Sequence, residues 1–108
     1  MDDIDERVAI EVMGWKRGHF CWVTDKGRHI DVTEWQPSKR IEQAWMVVEK
    51  LREEEFFVCI QGGDDVTRNS WWVAIADEEG SISAESDTAP MAICQAALEA
   101  KGYAKRTA

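Results

Sequence analysis

The sequence predicts an α+β domain, an α/β/α sandwich in which three helices cover a small, mainly antiparallel sheet. Three observations carry this reading. Three segments repeat apolar residues at helical spacing. Two runs, Phe56-Phe57-Val58-Cys59-Ile60 and Trp71-Trp72-Val73-Ala74-Ile75-Ala76, are apolar throughout, as strands covered on both faces are. Gly62-Gly63-Asp64-Asp65 turns the chain between those runs, so they pair as an antiparallel hairpin.

In chain order, Ile4, Val8 and Val12 form one stripe of a first helix over Asp3 to Met13, with Asp2 or Asp3 at its cap and Gly14 at its end. Two short strands follow, Phe20 to Thr24 and Arg28 to Val32, around an Asp25-Lys26-Gly27 turn that places Gly27 in the left-handed region. Trp35-Gln36-Pro37-Ser38 is a linker, with Ser38 as a helix cap. Ile41, Ala44, Trp45, Val48 and Leu51 give the second helix its inner face, while Arg40, Glu42, Glu49, Lys50 and Arg52 give it a solvated one. After the two apolar strands, Asp77-Glu78-Glu79-Gly80 turns into a polar edge strand, Ser81 to Glu85. The third helix runs from Thr88 to Lys101. Asp87 or Thr88 caps it, Pro90 sits in the first turn where no amide is needed, and Gly102 stops it. The whole of 1–108 is one domain, with residues 103–108 as a frayed tail.

Composition excludes several functions. A net charge of −8 repels nucleic-acid phosphates in general, so no bulk nucleic-acid partner is expected. No apolar segment approaches the ~18 residues of a membrane helix. The acidic opening lacks the positive start of a secretory signal, so a cytoplasmic protein is expected. Cys21, Cys59 and Cys94 are odd in number and widely spaced, which suits free thiols in a reducing compartment.

Catalytic chemistry finds little footing. His19, Cys21, His29 and Cys59 are zinc-type ligands, but they lack the paired spacing of a zinc site, so no metal and no cofactor are expected. Cys59 and Cys94 read as buried, inert thiols. The acidic clusters lie in turns and at helix ends, where a solvated surface is the simpler account. Gly62-Gly63 lacks the lysine and following helix of a phosphate loop. The chain is not expected to be an enzyme.

Six tryptophans are many for this length. Trp45 lies on a helical stripe and Trp71-Trp72 in an apolar strand, so these three are expected in the core. Trp15, Trp22 and Trp35 fall at element ends or in loops, where exposed indoles stack on nucleobases or anchor interfaces. Arg17, Arg28, Lys39 and Arg40 are the cations close to them in sequence. The expected ligand site is therefore Trp15, Trp22 and Trp35 for a base, with Arg28, Lys39 and Arg40 for phosphates. A satellite core cluster is the plainer account of the same tryptophans.

Three blocks carry a resemblance: Glu11-Val12-Met13-Gly14-Trp15-Lys16; Ile41 with Ala44-Trp45 and Val47-Val48-Glu49-Lys50-Leu51; and Asp87-Thr88-Ala89-Pro90-Met91-Ala92-Ile93-Cys94-Gln95-Ala96-Ala97-Leu98. With Trp71-Trp72 and the Pro37-Ser38 step, they make the chain similar to the phage ABA sandwich domain, a group of small phage and prophage proteins. Gln36 stands where that family commonly has Asn. The resemblance implies an alpha-beta-alpha sandwich in the cytoplasm of a bacterial host, and it carries over no catalytic residues. By analogy with other small phage proteins lacking enzyme motifs, the function expected is sequestration of a nucleotide-like small molecule, an anti-defence sponge for an immune signal. The rival expectation is an acidic interaction module that inhibits a host or phage protein. A homo-oligomer is expected in the first case, with the pocket at a subunit boundary.

Overall fold

The structure is a computed structural model that describes residues 4–62 and 70–107, with side chains described as far as Gly102. The expected Asp2 or Asp3 cap, and the turn beyond Gly62, lie outside the described residues.

The chain opens as α1 (Ile4–Arg7) and widens into a π-helical segment, Val8–Val12. The Met13 amide reaches back five residues to the Val8 carbonyl at 3.0 Å. Gly14 then takes φ 72° and ends the helix, a conformation that costs side-chain-bearing residues more than glycine. A first sheet follows in the order β1 (Lys16–Arg17), β2 (Cys21–Val23), β3 (His29–Asp31), all antiparallel. The expected hairpin is there, with Gly27 at φ 78°. The strand β1 is an addition: Lys16 and Arg17 have no apolar alternation, and they pair because the chain passes beside Val23 and Trp22.

Helix α2 (Ile41–Glu53) begins without a side-chain cap at Arg40. Ser38 is not the cap. It is buried, its amide donates to Asp5 Oδ1 at 2.9 Å, and its hydroxyl has no partner among the described residues. Gln43, in the first turn, reaches back instead: Oε1 accepts from the Gln36 amide and Nε2 donates to the Glu34 carbonyl, closing the 34–40 loop from inside the helix. The helix ends in a Schellman motif: Phe56 N–H donates to Leu51 and Glu55 N–H to Arg52, both at 3.0 Å. Glu55 occupies the left-handed position at φ 69°. Since a non-glycine residue there costs roughly 1 kcal/mol, Glu55→Gly is expected to stabilise the fold by about 0.5–1 kcal/mol. A urea midpoint that falls in this variant would contradict that assignment.

The second sheet has the order β4 (Phe57–Gly62), β5 (Trp71–Ala76), β6 (Ser81–Ser86), again antiparallel. The α+β class stands, but among the described residues the strands divide into two three-stranded sheets rather than one. Asp77 Oδ1 accepts from the Glu79 and Gly80 amides and so builds the β5–β6 turn. Helix α3 (Ala89–Thr107) starts where Thr88 Oγ1 accepts from the Met91 amide. It then continues through Gly102, which was expected to stop it. A C-terminal glycine ends a helix by turning left-handed, and Gly102 does not adopt a positive φ.

Helix α3 is the hub, packing on β5, β6, α2 and the π-helical segment. Ala92, Ala96, Ala97 and Ala100 are buried along it, and their small side chains let sheet and helices approach closely. Helix α2 turns Ala44, Val47, Val48 and Leu51 inward. Ile41 and Trp45, expected on that face, are exposed, because the buried stripe is the one that includes Val47. Among the described residues, the cover lies on one face of the second sheet. Val73 and Ile75 are buried, yet Phe57 is 74% exposed and Cys59 is exposed, so among the described residues the expected cover on both faces of β4 and β5 is not found.

Candidate ligand cleft

The tryptophans divide opposite to expectation. Trp15, Trp22 and Trp35 are 5%, 1% and 2% exposed, while Trp45, Trp71 and Trp72 are 49%, 38% and 38% exposed. Trp22 sits at the centre of β2 with its ring turned inward, and the Arg17 guanidinium lies 5.3 Å from its centroid, a cation–π lid over the indole. Trp15 and Trp35 pack together, centroids 4.5 Å apart and tilted by 55°. Trp35 Nε1 donates to the Asp5 carbonyl at 3.0 Å, which gives a buried indole the partner it needs. Loop position misled because these segments lie over the core: the linker folds back onto α1, where Trp35 and Ser38 bond to Asp5. Trp15, Trp22 and Trp35 therefore present no free ring face for stacking.

The cations expected beside them are dispersed. Arg28 is in the β2–β3 turn, where its amide donates to Thr24 Oγ1 at 3.1 Å. Lys39 and Arg40 belong to the turn before α2, their amides donating to the Gln36 carbonyl. All three are exposed. The structure places them on different elements and joins none to a free indole.

The metal set also separates. Cys21 Sγ lies 3.2 Å from His29 Nδ1 across β2 and β3, and His19 instead meets the Phe20 ring edge-on at 4.6 Å. Among the described residues no three His, Cys, Asp or Glu side chains come together as a metal site. Asp31 stands opposite Cys21 in the register. Its Oδ1 accepts from the Thr33 hydroxyl and amide, at 2.7 and 2.8 Å, which holds the carboxyl below its usual range, the hydroxyl contact contributing most.

What the fold does build is a cleft of about 590 Å³ between α1 with its π-helical segment, β6 and α3. Its volume falls in the range of small-molecule sites, ~300–1,000 Å³. Ile4, Ile82 and Leu98 supply apolar walls, and Arg7, Glu11, Gln95 and Glu99 supply polar groups. Arg7 Nε donates to Glu11 Oε2 at 3.0 Å, with the Arg7 side chain 57% exposed. Glu11 lies in the π-helical segment, and such single widened turns recur at functional sites. None of these polar residues was among the expected site residues. Their only signal is spacing: Ile4, Arg7 and Glu11 on one helix, and Gln95, Leu98, Glu99 and Gly102 on another, each repeat at helical intervals. Polar residues so spaced look like an ordinary solvated face until the second helix is set opposite the first.

Among the described residues no helix is long and apolar enough to cross a membrane. A family model described as the phage ABA sandwich domain matches residues 6–98. Among solved structures, a phage protein from Bacillus cereus ATCC 14579 is similar, with 29% identity and a TM-score of 0.72 over 95% of this chain and 89% of that one. Curated protein sequences yield no significant match.

Proposed function

The chain belongs to the phage ABA sandwich domain family, and from that premise we propose that it is a non-enzymatic binder that sequesters a nucleotide-like small molecule. It would act in the cytoplasm of a phage-infected bacterium, removing a nucleotide signal of antiviral defence. The observation that supports binding is the 590 Å³ cleft. Its apolar walls suit a base or sugar face. Glu11, Glu99 and Gln95 offer acceptors to exocyclic amino groups, and Arg7 is the cation available to a phosphate once it leaves Glu11. The nucleotide class itself rests on analogy with other small phage proteins. The cleft takes the place of the Trp22, Trp35, Arg28, Lys39 and Arg40 surface in this reading.

Native mass spectrometry of the protein from cells with active nucleotide signalling tests it. The expected result is a stoichiometric adduct, released unchanged on denaturation. Arg7→Ala with Gln95→Ala is expected to lower retention at least tenfold at unchanged circular dichroism, since neither side chain is core. An adduct that survives both substitutions would place the ligand elsewhere. A product mass in place of the intact ligand would make the protein an enzyme.

A second reading, an acidic module that grips a host or phage protein, is favoured by one observation. Ile41, Trp45 and Met46 are 50%, 49% and 38% exposed on α2, and exposed aromatic anchors of this kind mark protein interfaces. A pull-down whose yield collapses at moderate salt and on Trp45→Ala would support it.

A further inference from the structure

The outer face of the second sheet is the largest feature the ligand reading leaves unused. The β4–β5–β6 register arranges it as three rows. The first row is Phe57, Ala76 and Ser81. The middle row is Cys59, Ala74 and Ser83. The third is Gln61, Trp72 and Glu85. Only Glu85 in these rows is charged, and it accepts a hydrogen bond from Ser70 Oγ at 3.0 Å. A chain of net charge −8 thus keeps one sheet face almost free of charge while leaving Phe57 74% exposed.

We propose that this face binds the same face of a second copy, forming a two-fold dimer with the sheets packed against each other and the helices outside. Three arguments select a second copy. The first is charge: a face nearly without charge offers nothing to hold a basic partner, and it is the surface where two acidic copies repel least at physiological salt. The second is relief. A two-fold axis lying along the middle row sets Ala74 against Ala74 of the second copy and exchanges the outer rows. Trp72 then faces Ala76 of the second copy and Phe57 faces Gln61, so both bulky rings meet smaller or flexible side chains. A self-complementary patch is what a two-fold interface requires, and aligned sheets pack at about 10 Å. The third is area. Three strands of this length cover about 20 by 14 Å. Counted on both copies this is roughly 560 Å² before side-chain relief, below the ~1,200 Å² of standard interfaces and within the weak, transient class. The dimer is accordingly reversible.

Sedimentation equilibrium of the full chain from 1 to 300 μM, paired with maleimide labelling of Cys59, tests the proposal. The expected result is a weight-average mass rising from monomer to dimer, with Cys59 labelling at least fivefold slower at the high end. Ala74→Arg puts two guanidinium groups face to face at the axis and is expected to weaken the dimer at least tenfold. Phe57→Ser, at a largely solvent-exposed position, is expected to weaken it more mildly and serves if Ala74→Arg does not fold. A monomer at every concentration would overturn the proposal and leave the face to another protein or to solvent. A dimer that persists in both variants with Cys59 labelling unchanged would overturn it too, by placing the contact elsewhere.

Discussion

Trp22→Ala is expected to remove about 3–5 kcal/mol of stability, the usual cost of deleting a fully buried aromatic ring. Small domains hold only about 5–15 kcal/mol in total, so the loss takes a substantial share of the margin. Its melting temperature is expected to fall by roughly 15–30 °C. The size of the effect follows from position. Trp22 is among the largest fully buried side chains, at the centre of a three-residue strand paired on both sides. Its loss leaves a cavity beneath Arg17 that so short a sheet cannot close. The control is Trp72→Ala, whose ring is 38% exposed and whose loss is expected to cost clearly less than that of Trp22. Urea unfolding followed by circular dichroism checks both. Equal losses in the two variants would mean that Trp22 is not core.

Trp35→Ala is expected to cost a similar 3–5 kcal/mol and, in addition, to disturb the cleft. The indole packs on Trp15 and donates to the Asp5 carbonyl, and Asp5 Oδ1 accepts from the Ser38 amide. These contacts tie α1 to the linker before α2. Ile4 and Arg7 of α1 line the cleft, so loosening α1 moves one wall. Trp35→Phe separates the two roles. It keeps most of the packing but removes the N–H, which leaves the Asp5 carbonyl short of a partner at about 1–3 kcal/mol. Proteolysis near the N-terminus should accelerate in both variants, and more in Trp35→Ala. Protection unchanged in Trp35→Ala would show that α1 is held by other contacts.

Much of the fold was legible in the residues because local chemistry dictates it. The limits of β5 coincide with its apolar run, Gly27 and Gly14 take the left-handed turns that glycine favours, and Thr88 caps α3. Elements that depend on a partner were not legible. Lys16 and Arg17 form a strand only because Val23 and Trp22 pass beside them. Gln43 closes the loop before α2 by reaching to Gln36, seven residues upstream, a contact set by the path of the loop. Glu55 holds a conformation normally left to glycine because the Leu51 and Arg52 carbonyls need the amides that follow.

The candidate site was less legible than the fold, and the tryptophans explain why. An indole is large, apolar and capable of one hydrogen bond, so its composition suits a core and a binding face equally. Only packing separates Trp22 from Trp72. The cleft was hidden for the complementary reason: Arg7, Glu11, Gln95 and Glu99 are common surface residues, and they form a site because the fold brings them together with Ile4, Ile82 and Leu98.

By itself, then, the sequence determined the α+β class, the family, the presence of α2, the β4–β5–β6 meander and most turn positions, since each depends on residues a few positions apart. The tertiary structure alone decided which face of the second sheet lies open, which three of six tryptophans build the core, and where a ligand-sized cleft forms. Those properties belong to pairs of distant surfaces, and whether a surface is covered depends on what the rest of the chain sets against it.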